Sequence, residues 1–150
     1  MKKVLALIIA LALSLCFAGC GGTEKPDIDI NQISNWINDT GYMNDYDYVT
    51  DWAVVPDDSG GVNISIVVED GTDPELALHV ADNVVRQVSV AARNQNKDLT
   101  GPSKNDYGSF YDSYPALVGV SEQSKTGDTK DWLVFHAIVA SSGPMVELQK

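Results

Sequence analysis

The segment from Thr72 to about Asn96 constrains this chain most, because it reads as one long amphipathic helix set between two pairs of strand-like segments. Thr72 and Glu75 have the spacing of a capping box, while Asp73 followed by Pro74 offers a second cap with proline at the first helical position. Ala77, Val80, Ala81, Val84, Val88 and Ala91 then recur at helical spacing, with Asp82, Arg86 and Arg93 opposite. A helix with a single apolar stripe of this length must lie on a sheet.

The flanking segments supply that sheet. "YVTDWAVV" and "VNISIVVE" are rich in β-branched and aromatic residues and are separated by the turn cluster "PDDSGG". In the second of them Val62, Ile64, Ile66 and Val68 alternate with Asn63, Ser65 and Val67, so one face is core and the other mostly polar. A second hairpin follows as "ALVGVSEQ", the turn "SKTGDTK" and "DWLVFHAIVA". Near the start, "DINQISNWIND" predicts a short helix capped by Asp29, with Gln32 three residues on, Ile30, Ile33, Trp36 and Ile37 on one side and Gly41 as its stop.

Helix, hairpin, helix, hairpin predicts an α+β two-layer sandwich: a four-stranded antiparallel sheet with both helices on one face. The last strand reads as central, because Leu133, Phe135, Ala137 and Val139 make one apolar face and Trp132, Val134, His136 and Ile138 the other. With the last strand beside the Ile64 strand, the connectivity is that of a permuted ferredoxin-like fold, in the spatial order third, fourth, second, first. By itself this likeness of element order carries no function.

Such a sheet leaves one face open, lined by Asn63, Ser65 and Val67. If the Trp132 set points there, Trp132, Val134, His136 and Ile138 form an apolar strip with one histidine, the kind of surface that marks an interface or a ligand site. The alternative is that Ile33 and Trp36 of the first helix pack on that face and make it ordinary core.

Residues able to carry chemistry are few. His136 is held in a fixed direction by its strand, whereas His79 falls on the polar side of the long helix; neither has the partners of a known catalytic motif. An enzyme using His136 therefore ranks behind a binding protein, and no cofactor is expected. "EDGTDPE" has the oxygen atoms calcium wants in Glu69, Asp70 and Asp73, but lacks EF-hand spacing, and Asp73 and Glu75 are already explained as cap and first-turn anions. Tyr107, Phe110, Tyr111 and Tyr114 fall at i, i+3, i+4 and i+7, so a turn or two of helix gathers their rings, either as contact area for a ligand or partner or as a lid folded on the sheet edge.

The N-terminus indicates where this domain works. Met1-Lys-Lys3 and the apolar run from Val4 to Ala18 have the layout of a secretory signal. Phe17-Ala-Gly-Cys20 resembles the lipobox of bacterial lipoproteins, with Phe17 in place of the usual leucine. That resemblance implies a diacylglycerol on the Cys20 thiol and cleavage after Gly19, so that Cys16 leaves with the peptide. Residues 1–19 are then the signal, 20–27 a lipidated cysteine and flexible tether, and 28–150 one α+β domain. With its one remaining cysteine acylated, the chain has no disulfide framework, no cysteine-rich zinc site and no catalytic thiol.

Charge narrows the partners further. The sequence holds 21 acidic and 10 basic residues for a net charge of −11, and loss of Lys2 and Lys3 makes it more acidic still. Such a domain repels phosphate backbones, which excludes nucleic acid as a partner. The sequence thus points to a non-enzymatic lipoprotein held on the extracytoplasmic side of a bacterial membrane. It would act as a binding or accessory module for an unidentified protein or small molecule, or as a homodimer closed over the open sheet face.

Overall fold

The computed structural model describes residues 24–140; the signal, Cys20 and the tail from 141 onward lie outside the described residues. The first helix, α1 (Ile30–Asp39), starts at Asp29, whose side chain accepts from the backbone N–H of Asn31 and Gln32. The Gln32 side-chain amide donates to the Asp29 carboxylate at 3.1 Å, while the Asp29 N–H, which a capping box would give to Gln32, donates to the Gln95 side-chain oxygen at 2.9 Å. Ile30, Ile33 and Ile37 are buried along one stripe, and Gly41, with φ +68°, stands just past the helix end.

A 3₁₀ turn (Tyr42–Asp45) leads to the hairpin of β1 (Val49–Pro56) and β2 (Val62–Val68). Asp73 caps α2 (Pro74–Gln95) through a 2.8 Å bond from the Glu75 N–H, and Pro74 occupies its first turn. Of the two caps offered by the sequence, aspartate–proline is therefore used, while the Thr72 hydroxyl donates to the Glu69 carbonyl instead. A short helix, α3 (Phe110–Ser113), precedes the second hairpin, β3 (Ala116–Glu122) and β4 (Val134–Ile138), whose connection holds two 3₁₀ turns.

The fold is α+β, with helices on a four-stranded mixed sheet in the order β1-β2-β3-β4. The two outer pairs are antiparallel as expected, but β2 and β3 run parallel, and β4 is an edge strand rather than a central one. The reason is the crossover. α2, about 33 Å long at 1.5 Å per residue, and the segment after it carry the chain back to the end of the sheet where β2 began, so β3 must start there too. There the Val62 N–H donates to the Pro115 carbonyl at 2.9 Å, and Gly61 lies so close to that oxygen, 2.3 Å from an ideal Cβ, that no side chain fits.

The expected double apolar face of the last strand has a different origin. Trp132 precedes β4, and only Val134 and Ile138 of that strand are fully buried.

The core lies on the helical side of the sheet. Val54, Ile64 and Val118 form one register row, Ile66, Val120 and Val134 the next, and Val62, Ala116 and Ile138 a third, all at most 3% exposed. Val80, Ala81, Val84, Val85 and Val88 of α2 close over them. Tyr107, Phe110 and Tyr111 are also fully buried, so the aromatic segment is core and not a contact surface. Phe110 stacks on Tyr114 with centroids 4.9 Å apart, and the Tyr111 hydroxyl donates to the Val85 carbonyl at 2.7 Å.

Candidate functional site

Two surfaces remain after the core is formed. The first is the sheet face opposite the helices. Ala53, Ser65, Gly119 and Phe135 make one register row across all four strands on that side, and Val55, Asn63, Leu117 and Ala137 make the next. Asn63 and Ser65 are thus where the alternation of β2 places them, half-buried and exposed respectively.

Trp132 joins this face from outside the strand. Its ring covers Gly119, where an ideal Cβ would fall 2.2 Å from Cζ3, and Phe135 meets it edge-on with centroids 5.7 Å apart. The indole Nε1 is buried there and finds no acceptor among the described residues.

The strip expected from Trp132, Val134, His136 and Ile138 does not form. Val134 and Ile138 point into the core, and His136, half-buried, shares its register row with Val118 and Ile64 on the helical side. Strand alternation would have kept all four together; it is broken because the 3₁₀ turn Thr129–Asp131 ends at Trp132, ahead of the first strand residue. Nor does α1 cover this face: Ile33 and Ile37 are core residues, and Trp36 packs against the core only in part.

The second surface is a groove of about 410 Å³ between α1 and the outer edge of β1, lined by Asn31, Ser34, Asn35 and Asn38 on the helix and Asp51 to Val55 on the strand. The helical residues fall at i, i+3, i+4 and i+7, a polar stripe facing the strand edge. The Ser34 hydroxyl donates to the Val54 carbonyl at 2.8 Å, and an Asp51 carboxylate oxygen accepts from the Trp52 N–H at 2.8 Å. This groove was missed from sequence. Its signal was present in the asparagine spacing of α1, but that spacing does not say what the stripe faces.

The acidic residues before α2 are engaged singly. Asp70 accepts from the Ser124 N–H at 2.9 Å and is held below the usual carboxylate range by that bond and the Ser124 hydroxyl; Asp73 caps α2. Among the described residues no three histidine, cysteine, aspartate or glutamate side chains are grouped to hold a metal ion. His79 is exposed on α2 beside the Asn83 amide, 3.2 Å from its Nε2.

Two residues of the expected tether contact the domain. The Lys25 ammonium sits 3.9 Å over the Tyr114 ring and donates to the Gly60 carbonyl, and the Tyr114 hydroxyl donates to the Pro26 carbonyl at 2.6 Å. These contacts hold Lys25 and Pro26 against the domain. Comparison of the chain with protein-family models, with curated proteins and with solved structures found no match.

Proposed function

We propose that this protein is a lipid-anchored extracytoplasmic module that binds a partner through the helix-free face of its sheet. The observation carrying this reading is the Trp132 ring laid across Gly119 beside Phe135. Aromatic rings spread over a sheet face supply contact area at low entropic cost. The lipobox-like Phe17-Ala-Gly-Cys20 supports the anchor. Two acyl chains at about 0.8 kcal/mol per buried CH₂ would make it stable where one chain would bind only reversibly. With Lys25 and Pro26 docked, the domain would be held near the bilayer.

Site-specific photocrosslinking of the full chain in cells tests this. A crosslinker at Ser65, on the proposed face, should give a discrete adduct that one at exposed Arg93 does not. An adduct of twice the chain mass would instead select the homodimer, and no adduct at Ser65 would remove the face from consideration. Independently, Cys20→Ala should release the chain from the membrane fraction; retention there would overturn the anchor alone.

A further inference from the structure

We propose that the groove between α1 and β1 binds a neutral, hydroxyl-rich ligand, a short oligosaccharide. Its volume, about 410 Å³, falls within the roughly 300–1,000 Å³ of small-molecule sites. What lines it is specific in chemistry. The side-chain amides of Asn31, Asn35 and Asn38 make no hydrogen bond among the described residues, so each offers two donors and an acceptor toward the groove. Asp51 adds a carboxylate oxygen beyond the one engaged by the Trp52 N–H. Trp52, half-buried and packed in part against the core, is among the lining residues, and an indole there suits the apolar face of a sugar. Hydroxyl groups both donate and accept, and a surface of amides with one carboxylate answers both roles.

Three other ligand classes fit less well. The groove has no lysine or arginine, and the chain's net charge of −11 opposes an anion. A cation would find Asp51 as the single charged group in the lining. An extended peptide adding to the edge of β1 would need the backbone groups that face outward, but the Val54 carbonyl is already bonded to Ser34 and the Trp52 N–H to Asp51. Asparagine is moreover a poor helix former, and three of the ten residues of α1 are asparagines on this one side.

Two-dimensional ¹H–¹⁵N NMR of the full chain tests the proposal, because it reads the asparagine side-chain amides and the Trp52 indole N–H one by one. The probes are N,N′-diacetylchitobiose, cellobiose and maltose. We expect at least one to shift the Trp52 indole and the Asn31, Asn35 and Asn38 amide signals saturably. Asn35→Ala, at an exposed helix position, should weaken that binding about tenfold, as expected for a lost ligand hydrogen bond. Asn94→Ala, outside the groove, should leave it unchanged. The proposal is overturned if none of the three sugars moves these signals, or if the shifts persist at full strength in Asn35→Ala. It is equally overturned if an uncharged extended hexapeptide of alternating threonine and valine binds there and slows exchange of the Val54 amide.

Discussion

The Ser34 hydroxyl donates to the Val54 carbonyl across the outer edge of the sheet, at 2.8 Å. With Asp51 on the Trp52 N–H and Pro56 at the strand end, it leaves β1 poorly disposed to pair with another strand. Loss of Ser34 therefore has two consequences. Ser34→Ala should lower stability by about 1 kcal/mol, the net value of a partly buried hydrogen bond, seen as a lower urea midpoint at unchanged slope. It should also promote concentration-dependent association by sedimentation, because an edge carbonyl becomes free to pair.

Gly119 and Trp132 form the second coupled pair. An alanine Cβ at 119 would fall 2.2 Å from Cζ3 and 2.6 Å from Cε3 of the indole, so the ring must leave the sheet face. Gly119→Ala should destabilise by about 1–3 kcal/mol, the usual cost of overpacking, and change the near-ultraviolet circular dichroism of the aromatic rings. In Trp132→Ala the clash disappears. Adding Gly119→Ala to that variant should then cost much less than it does alone, and equal costs in both backgrounds would show that the ring does not rest on Gly119.

The elements of this fold were legible where the deciding interactions are local. Asp29 with Gln32, Asp73 with Pro74, and the Asp57–Gly61 turn each act over a few residues, and each appears where its residue types require. Strand direction was less legible, since β2 and β3 pair over a crossover whose return point is set by helix length and not by either strand. The α+β class is insensitive to that choice; the central place assigned to β4 was not. The doubly apolar reading of "DWLVFHAIVA" counted Trp132 as a strand residue, and the preceding 3₁₀ turn sends its ring over Gly119. Asn63 and Ser65 came out on the helix-free face because alternation within one regular strand holds, while Val134, His136 and Ile138 went to the helical side with β4. The tyrosines from Tyr107 onward have helical spacing in either of their possible roles, and only the contacts with α2 decide for core.

Tyr111 tests that burial directly. Fully enclosed, its phenol is pushed well above the ordinary value of 10.0 by desolvation foremost. A raised folded value means that its contribution to stability is complete below the unfolded value of 10.0 and is lost as pH rises through the folded value. In an alkaline absorbance titration, Tyr111 should ionise only together with unfolding, and Tyr111→Phe should reduce the amplitude of that step by one tyrosine. The same substitution removes the bond from the Tyr111 hydroxyl to the Val85 carbonyl and should cost about 1 kcal/mol. Six independent, reversible tyrosine titrations in the folded chain would contradict the buried placement.

At the acid end, Glu122, Asp70 and Asp106 act in the opposite sense. Lys125 foremost, with the Gly71 N–H at 2.6 Å, holds the Glu122 carboxylate below its ordinary 4.5; the Ser124 N–H foremost does so for Asp70, and the Ser103 hydroxyl for Asp106, both from 3.8. Lowered folded values mean that the stabilisation is present above the unfolded values and is lost as pH falls through the folded ones. Stability should therefore hold down to about pH 4.5 and decline below it. Glu122→Gln should flatten part of that decline and Lys125→Met should shift the Glu122 titration back toward 4.5, both read by urea denaturation across the acid range. Because Glu122 also ties the end of β3 to Gly71 in the loop before α2, its protonation should loosen that loop first. Faster amide exchange at Gly71, before any change in the core strands, is the expected sign.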